Sequence, residues 1–254
     1  MFSDFSLQLT ENCVYGLLGK NGTGKSTLLY LISGLLRPTD GQVYCNGIAA
    51  NERRVEMQQD VFLVPEEFEL PAMTLDRYVR LNAPFYPRFS RDVMDTCLRD
   101  FELDTHLDLG ALSMDQKKKV FMSFALAANT RYLLMDEPTI GLEIPSKSQF
   151  RRVVAQNMSA ERTMLISTHQ VHDVEALLDH IIILSQRSLL LNAPVAELTA
   201  KYTFSYRSVD DGLPVIYSEP ALQGYAVMAE RGDGDAETQQ NLELLLIAVA
   251  KQKI

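Results

Sequence analysis

The sequence predicts an α/β fold with a mainly parallel sheet, an inserted helical subdomain and a small α+β extension at the C-terminal end. Short, continuous apolar runs of strand length alternate with helical patterns over most of the first 200 residues. Runs of that kind are expected of strands covered on both faces of a parallel sheet. Between about residues 75 and 129 the alternation lapses and only helical patterns occur. After about residue 200 the pattern turns to short strands and one terminal helix. The chain therefore divides into a main domain over 1–200, with its helical subdomain at about 75–129, and an extension over 201–254.

In chain order, residues 14–18 (VYGLL) form the first strand, followed by a Gly-rich turn and the helical stretch STLLYLISGLL, which Gly34 and Pro38 punctuate. Residues 61–64 form the next strand. Thr74 then suits the cap of a helix over LDRYVRLN, Ser90 one over RDVMDTCLRDF, and Ser113 a third running to about Ala128. Residues 132–135, 164–167 and 181–184 are three further strands, with His172 and His180 on a helix after residue 169 as surface or packing residues. In the extension, YTFSYRSVDDGLPVIYSE reads as short strands. AETQQNLELLLIAVAKQ reads as a helix whose spacing gives Leu242, Leu245, Leu246 and Val249 an apolar face.

Composition narrows the function classes. The 254 residues, 46% hydrophobic and 22% charged, suit one large domain, alone or with a small appendage. No uncharged apolar run approaches the roughly 18 residues that span a bilayer. The opening MFSDFSLQLTENC lacks a basic region before an apolar run, and Asp4 interrupts it, so it does not read as a signal peptide. Cys13, Cys45 and Cys97 are too scattered for a zinc site and odd in number for a disulfide framework, which fits a reducing cytoplasm. The four histidines form no HExxH pair. A net charge of −9 argues against a general nucleic-acid binder.

The chemistry is concentrated in three motifs. GKNGTGKS, residues 19–26, matches G-x-x-x-x-G-K-[ST] between an apolar strand and a helix, the context a phosphate loop requires. Gly19, Gly22 and Gly24 let the backbone of Gly19, Lys20, Asn21, Gly22, Thr23 and Gly24 curl so that N–H groups point at phosphate oxygens. The N-terminus of the helix carrying Lys25, Ser26 and Thr27 adds positive potential. Lys25 would bridge the β- and γ-phosphates, and Ser26 would ligate Mg²⁺. YLLMDEP is an apolar strand ending in Asp136, suited to the Mg²⁺ shell, and Glu137, suited to polarising an attacking water. MLISTH places His169 just past another buried strand, where it would contact the γ-phosphate. The core is thus a phosphate-loop NTPase.

The order phosphate loop, helical insertion, LSMDQ, strand-DEP, strand-STH resembles the ATP-binding cassette (ABC) family of ATPases over residues 1 to about 200. The LS-x-x-Q element about 20 residues before the DEP is the most specific part of the likeness. STLLYLISGLLRPTDG and the acidic VPEE segment look like ATPase subunits of ABC-2-type exporters. The resemblance implies a Mg-ATP hydrolase that forms a head-to-tail homo- or heterodimer. Each ATP would be clamped between one subunit's phosphate loop and Ser113, Asp115 and Gln116 of the other. Closure would drive separate integral-membrane transporter subunits from a peripheral position on the cytoplasmic face of the membrane. It also implies an acid after the third strand that senses Mg²⁺, assigned to Glu66, with Glu67 one register away.

Several positions depart from the family pattern. The aromatic that stacks on adenine is expected before this sequence opens, so either the start is truncated or Phe2 or Phe5 substitutes. Glu143 stands in TIGLE where aspartate is usual, and Asp115 stands where LSGGQ has its second glycine. A carboxylate about 4 Å from a phosphate charge repels it by roughly 4 kcal/mol in a medium of intermediate dielectric. That would make the chain a nucleotide-binding regulatory module with impaired hydrolysis. Alternatively, Ser113 and Gln116 form a capping box and Asp115 faces solvent in the first turn. Lys117, Lys118 and Lys119 either offset the added charge or form a solvated helix face. A soluble ABC protein of translation or DNA repair is disfavoured, because Ser26 and Leu112 are only 86 residues apart, which leaves room only for a small helical subdomain.

Overall fold

The structure, a computed structural model, describes residues 2–186, 188–207, 214–222, 224–232, 238 and 241–253. The first quarter of the chain forms β1 (Cys13–Leu18), α1 (Lys25–Ile32), the two-residue strands β2 (Tyr44–Cys45) and β3 (Ile48–Ala49), α2 (Val55–Asp60) and β4 (Val61–Val64). Next come α3 (Leu75–Asn82), α4 (Arg91–Asp100), α5 (Met114–Ala127), β5 (Tyr132–Asp136), α6 (Ile144–Gln156) and β6 (Thr163–Thr168). The remainder is β7 (His180–Ser185), β8 (Ser188–Pro194), α7 (Val195–Lys201), β9 (Tyr202–Arg207), β10 (Tyr217–Ala221), β11 (Gly224–Glu230) and α8 (Leu242–Ala250).

The three expected caps of the helical segment are made. Thr74 accepts the Arg77 N–H, Ser90 accepts the Val93 N–H, and Ser113 accepts the Gln116 N–H. The first helix is shorter than STLLYLISGLL suggests. Gly34 adopts φ +73, and the N–H groups of Leu35 and Leu36 both return to Tyr30 O, ending the helix in a tight turn. A side chain at Gly34 would meet Ala50 O at 2.3 Å, so the turn also needs glycine for close approach. His180 begins β7 instead of lying on a helix; its ring packs on Tyr15 and its Nε2 lies 2.7 Å from Asn192 Oδ1. His172 is exposed in a 3-10 turn beside Glu175.

The chain divides into two compact units. One comprises residues 7–14 and 25–168. Its strands β4, β5 and β6 pair in parallel, with Leu63 opposite Leu134 and Leu134 opposite Leu165. Helix α1 packs on β5 and β6, α5 packs on β4, and α4 and α6 pack on α5. Phe124 of α5, 1% exposed, lies within about 6 Å, ring centre to ring centre, of Phe62, Tyr78, Tyr86 and Phe89. This aromatic cluster joins the helical segment to the sheet, so α5 is fixed along its C-terminal half.

The described residues of 1–6, 15–24 and 169–254 form the other unit. Here β1 pairs in parallel with β7, and β7 pairs antiparallel with β8, with an irregularity at Ile183/Leu184. Strands β10, β11 and β9 make a small antiparallel sheet, and α8 packs against β7, β8, β10 and β11. The buried face of α8 is Leu242, Leu244, Leu245, Ala248 and Val249. Leu244 and Ala248 therefore join the expected face, and Leu246 is only half-buried. The start of the predicted terminal helix, at residues 236–240, lies largely outside the described residues. No helix among the described residues is long and apolar enough to cross a membrane.

Arg162, 3% exposed, ties the carboxyl ends of two helices to the sheet. Its guanidinium donates to Leu126 O at 3.2 Å near the end of α5 and to Asn157 O at 2.7 Å after α6. It also donates to Thr130 O at 3.2 Å and Asn129 Oδ1 at 2.6 Å. A cation at helix C-termini satisfies carbonyls the helices leave unpaired and opposes their dipoles. Arg162→Met would strand these buried acceptors, so we expect a loss of about 3 kcal/mol or more. The check is a lower urea midpoint at unchanged slope. Arg162→Lys should recover little, since one ammonium cannot reproduce the planar fork.

Candidate active site

The apolar run of β5 ends in two acids that are almost fully buried, Asp136 at 1% and Glu137 at 4% exposure. Carboxylates persist there only with partners. The register of β5 on β6 sets Asp136 opposite Ser167, whose Oγ donates to Asp136 Oδ1. Thr168 Oγ1 donates to Glu137 Oε2 at 3.0 Å. Lys25 Nζ stands 3.3 Å from Glu137 Oε1, with 6% and 5% of the two side chains exposed. The Glu137 N–H reaches Ser167 O at 3.0 Å and Ser167 Oγ at 3.3 Å. Glu137 also adopts φ +45, a left-handed conformation that a non-glycine residue holds only where its surroundings over-determine it.

Lys25 is the first residue of α1, and Ser26 and Thr27 follow it, half-buried in the first turn. Along the chain, β1 leads directly into residues 19–24. There Thr23 donates to Lys20 O from both its N–H, at 3.4 Å, and its hydroxyl, at 2.9 Å. Lys20, Asn21 and Gly22 are exposed, whereas Gly19, Thr23 and Gly24 are buried. Gly24 has φ +105, and a Cβ there would stand 2.8 Å from the Phe2 ring. Of the two rings considered for adenine, Phe2 therefore packs on the phosphate-loop backbone, and Phe5 lies beside it in a tilted contact, 4.9 Å between ring centres.

Glu66 is exposed in the loop after β4. Burial lowers the pKa of Lys118, and the charges of Glu66 and Glu137 oppose that shift. Burial also raises the phenol of Tyr30 on α1, helped by Asp136 and Glu66. Glu66 thus acts electrostatically on the groups around the acid pair. Ser26, Asp136 and Glu66 offer hydroxyl and carboxylate oxygens, the hard donors that suit Mg²⁺. His169 follows β6 directly and is exposed.

At the start of α5, Ser113 and Gln116 form a complete capping box: Ser113 N–H donates to Gln116 Oε1 at 3.0 Å, and Gln116 N–H donates to Ser113 Oγ at 3.3 Å. Asp115 does not face solvent. It forms an ion pair with Lys119 at 3.2 Å and accepts the Glu143 N–H at 3.1 Å, with 13% of its side chain exposed. The lysines are not a solvated face either, since Lys118 and Lys119 are 6% and 8% exposed. Lys118 Nζ donates to Ile140 O, and Lys119 Nζ donates to Phe101 O at 3.5 Å.

The sequence does not single out Ser167 or Thr168 for the site, and of Lys118 it shows only a charge that could offset Asp115. The two hydroxyls had a signal in MLISTH, because polar residues that close a buried apolar strand need partners. Lys118 had none, because a lysine in a run of three does not show which way it points.

A family model described as ABC transporter matches residues 2–140. The SkfA peptide export ATP-binding protein SkfE of Bacillus subtilis is 28% identical over 192 residues, 73% of this chain and 79% of that protein. The ABC transporter ATP-binding protein NatA of the same organism is 27% identical over 202 residues, 77% and 82% of the two chains. Among solved structures, a dimeric ATP-binding cassette bound to ADP and phosphate in a post-hydrolysis state aligns with TM-score 0.67 and 25% identity, over 76% of this chain and 90% of that one. An ATP-binding subunit of an ABC transporter aligns at 0.70 with 24% identity, over 78% and 85%. With the phosphate loop, the strand-end acids and the parallel strands already in place, these matches show that the chain belongs to the ABC transporter family.

Proposed function

We propose that this chain binds and hydrolyses ATP as the cassette subunit of an ABC-2-type exporter, dimerises on ATP, and works with separate integral-membrane subunits on the cytoplasmic face of the membrane. The buried Lys25–Glu137 pair, with Thr168 on the second carboxylate oxygen, carries the reading of the site. Residues 19–24 supply backbone N–H groups to the phosphates, and Lys25 neutralises their charge. Phosphate oxygens compete with Glu137 for the lysine. A carboxylate relieved of that partner becomes a stronger hydrogen-bond acceptor for water, as a general base must be. Thr168 keeps the freed carboxylate oriented. His169 contacts the γ-phosphate.

Mg²⁺ fits the oxygen donors of Ser26, Asp136 and Glu66, and when bound it neutralises charge on the β- and γ-phosphates. Ser167 donates to one oxygen of Asp136, and the other would be the donor to the ion. The reading of the chain as a module with impaired hydrolysis rested on an uncompensated carboxylate at Asp115. Lys119 and the Glu143 N–H compensate it, which favours the hydrolysing subunit.

Two outcomes test this function. Glu137→Gln keeps an acceptor for Lys25 and Thr168 but removes the base. Its ATP turnover should fall by about 10²-fold or more, and size-exclusion chromatography should show an ATP-dependent dimer. A variant that stays monomeric in ATP, or that hydrolyses like the wild type, would overturn the proposal. For the metal, Glu66→Gln should raise the Mg²⁺ concentration needed for half-maximal turnover, whereas Glu67→Gln should leave it unchanged. The reverse order would move that role to Glu67.

A further inference from the structure

Residues 138–143 (PTIGLE) connect Glu137 to α6, and α5 holds their backbone at two points. Lys118 Nζ donates to Ile140 O, and Asp115 Oδ1 accepts the Glu143 N–H at 3.1 Å. Inside the segment, the Ile140 N–H returns to Glu137 O and the Leu142 N–H to Thr139 O, each at 3.2 Å, while Gly141 takes φ +78. The chain from Glu137 to Glu143 is therefore a short run of turns with both ends of its second half tethered to one helix. Glu143 is the N-cap of α6 and makes no side-chain cap bond of its own. Its N–H finds an acceptor on another helix instead, and Lys119 holds the second oxygen of that acceptor at 3.2 Å. The Asp115 side chain thus bonds to the backbone of position 143, whatever side chain stands there.

We infer that Asp115 is a positioning residue for hydrolysis: its carboxylate latches the segment that follows Glu137, and through that segment it holds the left-handed turn that aims Glu137. The inference rests on Glu137 being the base. Glycine at this position removes the acceptor of the Glu143 N–H and the partner of a nearly buried lysine together. Asparagine keeps the acceptor and loses only the ion pair. A carboxylate that merely repelled phosphate would behave oppositely, with both substitutions raising ATP affinity and turnover.

The test compares the purified full chain with Asp115→Gly and Asp115→Asn, reading Mg-ATP turnover, thermal unfolding, and hydrogen exchange at the Glu143 amide without added nucleotide. The latch predicts that Asp115→Gly lowers kcat about tenfold while KM for ATP stays within about twofold. Asp115→Asn should keep kcat within about threefold of the wild type. Glu143 exchange should accelerate about tenfold or more in the glycine variant and not in the asparagine variant. Unchanged or higher turnover in Asp115→Gly, equal losses in both variants, or a change confined to KM would overturn it. If Asp115→Gly does not fold, Asp115→Ala takes its place and its contrast with Asp115→Asn decides. A wild type without turnover refutes the hydrolysis reading itself. An unprotected Glu143 amide in an active wild type refutes the latch alone.

Discussion

An ammonium and a carboxylate 3.3 Å apart, each with about 95% of its side chain removed from solvent, set the terms for the structure around them. Two charges in such a place lose several kcal/mol of hydration each, and their mutual attraction compensates only when the geometry is good and the remaining hydrogen-bonding positions are filled. The surrounding elements supply that geometry. The first turn of α1 brings Lys25, the end of β5 brings Glu137, and the end of β6 brings Thr168 to the second carboxylate oxygen. The β5–β6 register is part of the same constraint. It sets Ser167 opposite Asp136; a slip of one residue would set Ile166 there and reverse the faces of every side chain on the strand. The left-handed backbone at Glu137 is consistent with a site where local strain is held by many partners.

The start of α5 follows the same logic with weaker means. Lysines near a helix N-terminus oppose its dipole, and three in succession would be a poor beginning for an exposed helix. Here Asp115 stands one turn before Lys119 in the favourable orientation, acid on the N-terminal side. Lys118 and Lys119 reach carbonyl oxygens of other segments, Ile140 and Phe101. The capping box of Ser113 and Gln116 fills the orphaned backbone groups independently of charge. Lys118 and Lys119 thus each have an acceptor, so their burial is compatible with their charge.

How much was legible in the sequence depended on whether a local pattern fixed the answer. Buried strands such as residues 61–64 and 132–135 were legible because a continuous apolar run of that length has few other uses, and the caps at Thr74, Ser90 and Ser113 because a short polar side chain before a helix has one favoured partner. The phosphate loop and DEP were legible because spacing and context agreed. Orientation was not legible. Asp115 sits at the second position of a helix, from which a carboxylate can reach solvent, a ligand or a neighbouring backbone, and only the fold brings the Glu143 N–H into range. The face of α8 differs from its pattern at Leu246 for a related reason: in an almost wholly apolar helix the pattern has little contrast, and packing buries Leu244 and Ala248 instead. His180 was misplaced because the strand that it begins extends one residue beyond its apolar run.

Helix α5 links the two themes. Its C-terminal half is locked by the ring of aromatic side chains around Phe124, and Arg162 donates to Leu126 O in its last turn. Its N-terminal turn carries the LSxxQ element and the residues that tether 138–143. In the family pattern the second glycine of LSGGQ has no side chain and can make no such tether. The Asp115 carboxylate adds a direct bond between the first turn of α5 and the segment that follows Glu137. The substitution is therefore better understood as a tether within the subunit than as a charge set against ATP.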